Sequence, residues 1–136
     1  MRHFLSVSAL VFAGALPAAP ALAQDADIGA ALYVNHCAVC HGGGGLGDGD
    51  MAGLMTVQPP DLTQLAKTNE GEFPMGRVIQ VIDGRGGVRA HGAPMPVFGA
   101  VFRPGGAGPG LEYGSEVEAR GRTLALALFI ESIQEF

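Results

Sequence analysis

Two cysteines, Cys37 and Cys40, stand two residues apart with His41 directly after them, and the chain has no third cysteine. No other cluster in the 136 residues constrains the fold as much. A disulfide across two intervening residues closes so short a loop that it removes little entropy from the unfolded chain, so it makes a poor staple. A redox dithiol fits the C-x-x-C spacing. Zinc would find three ligands in Cys37, Cys40 and His41, with no second ligand pair at finger spacing. The full run Cys37-Ala38-Val39-Cys40-His41 reads C-x-x-C-H, the attachment motif for c-type haem. Chemistry explains that spacing. Two thiols on one turn reach the two vinyl groups of one porphyrin, and the adjacent imidazole is aimed at its iron, whose other side takes Met or His.

The N-terminus points to export. Met1-Arg2-His3 is a short basic start, Phe4 to Ala15 is an apolar run of h-region length, and Ala21-Leu22-Ala23 supplies small residues at the cleavage positions. Residues 1–23 therefore read as a secretory signal peptide cut after Ala23, and 24–136 as the mature domain. The apolar run is too short for a membrane anchor and Pro17 and Pro20 interrupt its end, so no span is expected after processing. The length allows one domain. A formal charge of −5 without a run of Lys or Arg argues against nucleic acid as partner, because affinity there rests on neutralising phosphates. Gly 22 and Pro 9 point to a small, loop-rich domain with a marginal core.

With the haem motif, the chain resembles class I c-type cytochromes of the bacterial monohaem kind, over essentially all of Asp25 to Phe136. In that family an N-terminal helix carries a Gly eight residues and an aromatic four residues before the first Cys. Gly29 and Tyr33 occupy those positions. The glycine lets this helix approach a C-terminal helix closely, and the ring one turn later fills the crossing. Asp27 is the expected N-cap. The resemblance implies an all-α, small cytochrome c-like fold, with crossing terminal helices and short helices and loops wrapped around one covalent haem.

The residue opposite His41 has five candidates: Met51, Met55, Met75, Met95 and His91. Met95 lies in Ala93-Pro94-Met95-Pro96-Val97-Phe98-Gly99, where flanking prolines hold the segment extended. The family places its axial Met in such an M-P-x-aromatic-G segment, so the resemblance assigns Met95. Met75 follows Pro74 and suits core packing, Met51 and Met55 lie close to His41 in sequence, and His91 would give bis-His ligation. His36 reads as a surface residue. The expected site is thus Cys37, Cys40, His41 and Met95, with His41 and Met95 on the metal and no catalytic residue.

The run Gly42 to Asp50 invites two readings that fail. A dinucleotide loop lacks its preceding strand and its G-x-G-x-x-G spacing. An EF-hand started at Asp48 would need Glu at its twelfth position and finds Pro59. Glycines here are expected to let the chain lie flat along the haem edge. The family often has Pro after its G-D-G, whereas Asp50 follows here, so the acceptor for His41 Nδ1 is left open. Pro59-Pro60-Asp61-Leu62 resembles the family's P-x-D-L segment. Asp61 should cap a short helix ending before Gly71, with Leu62 and Leu65 inward. A second helix is expected over Met75 to Ile82, ended by Gly84. Arg77, Arg85 and Arg89 are candidate partners for haem propionates. Gly105 to Gly114 reads as a loop and Glu116 to Phe136 as the terminal helix, started by Ser115. Gly121, Leu124, Leu128 and Phe129 should meet the first helix and the haem edge.

The expected function is one-electron transfer in the periplasm between redox partner proteins, without substrate turnover. A haem subunit of an oxidoreductase complex, such as a dehydrogenase or a sulfur-compound oxidising system, is the alternative, followed by a sensor or enzyme with an open iron site. The covalent haem is expected to act as the staple of a glycine-rich core, leaving the apo chain largely unfolded.

Overall fold

The computed structural model describes residues 22–87, 95–103 and 111–135. Residues 1–21, with the body of the expected signal segment, lie outside them, as do Arg89, His91 and Gly105 to Gly110. The described residues form five α-helices: α1 Leu22–His36, α2 Ala38–His41, α3 Met75–Asp83, α4 Phe98–Val101 and α5 Leu111–Ser132. Short 3-10 turns at Ala52–Leu54, Leu62–Gln64 and Lys67–Asn69 link α2 to α3, and no strand occurs among the described residues. None of the helices there is long and apolar enough to cross a membrane.

Among the described elements the terminal helices α1 and α5 pack against each other most extensively, and α3 and α4 rest on α5. Ala119, Leu126, Ala127 and Ile130 of α5 are buried with Val78 and Ile82 of α3, Phe98 and Phe102 at either end of α4, and Tyr33 of α1. The α5 set recurs at helical spacing, so one face carries the core. Thr123 lies within it and satisfies its hydroxyl on the Ala119 carbonyl at 2.9 Å. The α1–α5 crossing follows the expected device. A Cβ on Gly29 would fall 2.2 Å from the Ala125 carbonyl oxygen, so only glycine admits this approach. The Tyr33 ring packs on Phe129 with centroids 5.0 Å apart.

Three helix details differ from expectation. Asp27 caps nothing: α1 already begins at Leu22 and Asp27 is an exposed residue inside it. Ser115 and Gly114 are likewise inside α5, which starts at Leu111. In sequence, the helix-breaking pair Pro109-Gly110 immediately before Leu111 is the signal for an earlier start. Gly121 and Leu124 do not meet α1. Gly121 has no atom near its missing Cβ and Leu124 is 45% exposed. With Phe129 in the crossing, Ala125 one turn earlier shares its face. Leu124, five residues back, is rotated by about 140° out of it.

At α3 the expectation holds within a residue. Val78 and Ile82 are buried, and Gly84 ends the helix at φ 66°, donating its N–H to the Gln80 carbonyl at 3.0 Å. The segment after Asp61 forms two 3-10 turns rather than one helix. Asp61 still caps the first, its Oδ1 accepting from the Thr63 N–H at 2.8 Å and the Thr63 hydroxyl at 2.6 Å.

Candidate functional site

The site begins where α1 runs into α2. The Cys37 N–H donates to the Tyr33 carbonyl at 2.8 Å, and the N–H groups of Cys40 and His41 both donate to the Cys37 carbonyl. One turn therefore presents both sulfurs and the imidazole. A helix of four residues leaves all four carbonyls without intrahelical donors, and the glycine run supplies them. Gly42, Met51, Gly49 and Gly47 donate to Ala38, Val39, Cys40 and His41 at 2.8, 2.9, 3.2 and 2.8 Å. This return path explains the glycines. A Cβ on Gly49 would fall 2.5 Å from the Val39 carbonyl oxygen, and one on Gly47, at φ 81°, would fall 2.4 Å from that of Pro59. Gly47 and Gly49 thus lie against protein backbone, and none of the glycines from Gly42 to Gly49 walls the cleft described below.

Buried Tyr33 ties the motif to α1. Its hydroxyl donates to the Gly42 carbonyl at 2.8 Å. Burial, then the neighbouring Cys37 and Asp48, push its pKa up to about 12, so it remains a protonated donor. Burial and then Cys40 push the Cys37 thiol up to about 12 as well. Both cysteines are unbridged.

His41 is buried, and its Nδ1–H donates to the Pro60 carbonyl at 3.3 Å. A carbonyl only accepts, so this contact selects the tautomer whose lone pair is on Nε2, the donor a metal requires. The acceptor left open by sequence is therefore the backbone of the Pro59-Pro60-Asp61 segment. That segment is anchored from several sides. Asp61 caps the following turn, the Leu62 N–H donates to Gly45 at 2.6 Å, and Gln134, beyond α5, donates to the Leu62 carbonyl at 2.7 Å. Replacing Asp61 by alanine is expected to cost about 1 kcal/mol, as for other lost caps, measured as a lowered melting temperature of the intact protein.

Two adjoining cavities share Cys37, His41, Met95 and Phe98. The larger contains about 710 Å³ of empty space, part of it open to solvent, within the range of ligand and cofactor clefts. Its walls are aliphatic, with Leu62 and Leu65 on one side, Val78 and Ile82 of α3 on another, and Ile130 of α5. The smaller brings in Cys40, His36 and Met55. A flat apolar ring bearing two vinyl groups and an iron fits this donor set: both thiols and a correctly tautomerised imidazole border one cleft with apolar walls. Arg77 lies on the wall of the larger cavity, as a propionate partner would. Arg85 does not; it is held by Asp83 and Glu116 away from the cleft.

Met95 stands on both cavities, and Met75 packs partly buried against the core as expected. Met51 is exposed. Met55 is the surprise among the methionines. The glycine run reverses the chain over α2 and returns Met55 to the smaller cavity beside His41 and Met95, so closeness in sequence did not keep it from the site. His36 is exposed, as expected, and it also reaches the site. Its ring stands edge-on to Phe102 and Phe98, at 5.3 and 6.1 Å, and borders the same cavity.

Searches of curated proteins and of solved structures gave no match to this chain. The model of the family Cytochrome c matches residues 26–104, more than half of the sequence, from α1 through the haem motif and Met95 to just beyond α4. The chain belongs to the cytochrome c family, whose members carry covalently bound haem c and transfer electrons through it.

Proposed function

We propose that the chain is a periplasmic one-electron carrier, exported by removal of residues 1–23, with a single haem joined to Cys37 and Cys40 and held axially by His41 and Met95. One observation carries this reading: Cys37, His41 and Met95, from two distant parts of the chain, border one apolar cleft in which the His41 tautomer is set by Pro60. When bound, the haem supplies a one-electron iron couple, and a soft thioether ligand favours the reduced state and raises its potential. The chain's own work is positional. Pro60 orients the imidazole, Pro96 restrains the backbone beside Met95, and the aliphatic walls exclude water, which limits reorganisation when charge changes. Arg77 is the side chain placed to meet a propionate carboxylate. With His41 and Met95 both holding the iron, no substrate would need to bind it, and the partners would be other redox proteins.

A second reading, a haem subunit resident in an oxidoreductase complex, is favoured by one feature. Leu54 and Val57 are 78% and 49% exposed on the segment that flanks the smaller cavity, a surface apt for a stable partner. Purification from the native periplasm separates the two readings. A lone carrier runs at its monomer mass, and a subunit brings stoichiometric protein with it.

Axial ligation is tested by the optical spectrum of the oxidised holoprotein. The weak red charge-transfer band of iron–thioether bonding is expected in the wild type and absent in Met95→Ala. The variant's potential should fall by roughly 0.1 V or more, a fraction of the ~0.8 V over which axial ligands tune haem. Persistence of the band in Met95→Ala would transfer the ligand role elsewhere, with Met55 first in line.

A further inference from the structure

Arg85 follows the glycine that ends α3, and its guanidinium forks onto two carboxylates at once. Nε and Nη2 donate to Asp83 at 2.8 and 2.6 Å, and Nη1 and Nη2 donate to Glu116 of α5 at 2.6 and 3.1 Å. Arg120, at 2.8 Å, and Arg103, at 3.9 Å, close on the same Glu116. The side chains of Arg85, Asp83 and Glu116 are only 28%, 21% and 28% exposed. Isolated surface pairs contribute little, but bidentate geometry within a network is the exception. Hydrogen bonds from Arg85 and Arg120 hold the Glu116 carboxyl well below its usual range, at about 2, so the network keeps its charges through the physiological range.

The chain that carries Met95 rests on this network. A Cβ on Gly99 would fall 2.4 Å from Arg85 Nε and 2.7 Å from Asp83 Cγ, so the backbone of α4 lies directly on the Asp83–Arg85 pair. Two residues earlier, Val97 touches Gly84, where a Cβ would be 3.4 Å from the Val97 Cα. Met95 is two residues before Val97 and enters the cleft from this seat. Arg85 itself does not border the cleft.

We propose that Arg85 is the positioning residue for Met95: clamped between Asp83 and Glu116, it seats Gly99 and thereby holds the Met95 segment at the cleft. The inference rests on Met95 being the axial ligand. Loosening the seat raises the fraction of molecules in which Met95 is withdrawn. An external ligand that takes the same position binds only that fraction, so its apparent affinity rises in proportion. Arg85 thus controls how firmly the ligand is held and not whether haem is attached.

Imidazole titration of the oxidised holoprotein measures this hold. Arg85→Ala is expected to bind imidazole about tenfold more tightly than wild type, the factor that 1.4 kcal/mol carries. It should lose the red band at lower temperature while its haem stays attached. Glu116→Gln should move both readouts in the same direction by a smaller factor, and it decides the matter if Arg85→Ala does not fold. Arg122→Ala removes the Glu118–Arg122 pair of α5, which is separate from the Asp83–Arg85–Glu116 network, and should leave imidazole affinity at the wild-type value. Wild-type imidazole affinity in Arg85→Ala and Glu116→Gln, with or without a lowered melting temperature, overturns the inference, as does equal tightening in Arg122→Ala. A wild-type red band that survives Met95→Ala instead sinks the ligand assignment on which it rests.

Discussion

Replacing Cys37 and Cys40 together by serine is expected to yield a colourless chain without a cooperative fold. Leu62, Leu65, Val78, Ile82, Phe98 and Ile130 all face a cleft of about 710 Å³. Full burial of such a side chain contributes about 1.5–3 kcal/mol. Most of these side chains are shielded from water, but across an unfilled cleft they lack packing partners, and lining such a void forfeits on the order of several kcal/mol, a large share of the stability of a typical domain. Nothing else among the described residues offsets this. The remaining core beneath α5 is made largely of alanines together with Tyr33, Leu126 and Phe102, and two long glycine-rich stretches bring little apolar surface. The double variant should therefore lack a sigmoidal melt by circular dichroism and have the mass of the bare chain, while the wild type melts cooperatively. A cooperative transition in the variant would show that the helices hold without the prosthetic group.

More of the candidate site than of the helix boundaries was legible in the sequence, and the reasons are physical. Cys37, Cys40 and His41 form a local motif whose chemistry is contained in five consecutive residues, so nothing tertiary is needed to read it. Gly29 and Tyr33 were legible through the family's spacing before the first cysteine, and the structure supplies the physical ground: a glycine in a helix is costly unless another backbone needs the space, and Ala125 does. By contrast, the acceptor of His41 Nδ1 is a main-chain carbonyl at Pro60, and carbonyls leave no signature in side-chain identity. The start of α5 was obscured because Gly114 and Ser115 look like a terminus locally, while burial of Ser115 and Ala119 draws them into the helix. The reversal at Gly42 to Gly49 also hid Met55, because distance along the chain says little once a glycine run folds back on the motif before it. Arg85 shows the same limit. A guanidinium fork suits a propionate and a pair of carboxylates equally, and only the fold reveals that Asp83 and Glu116 are the nearer partners.

The two glycines Gly29 and Gly121 are expected to respond to alanine with opposite signs. Both sit inside helices, so in each case alanine adds intrinsic helix preference worth about 1 kcal/mol. At Gly121 nothing opposes that gain. The position is exposed and its Cβ would meet no atom within 4 Å, so Gly121→Ala should stabilise by up to about 1 kcal/mol. At Gly29 the new Cβ would lie 2.2 Å from the Ala125 carbonyl oxygen and 2.8 Å from the Phe129 Cβ. The first is backbone and neither is the end of a flexible chain, so α1 and α5 must separate. Overpacking of this kind costs about 3 kcal/mol or more, which outweighs the propensity gain and leaves a net loss of roughly 2 kcal/mol or more. The separation also loosens Tyr33 from Phe129, and with it the hydroxyl that holds the Gly42 carbonyl behind the haem motif. Thermal melts of the two holoproteins should therefore move in opposite directions, with the larger shift at Gly29. Equal stabilisation by both substitutions would mean that the terminal helices do not cross at Gly29, and the close approach that sets the geometry of Cys37 and His41 would have to be sought elsewhere.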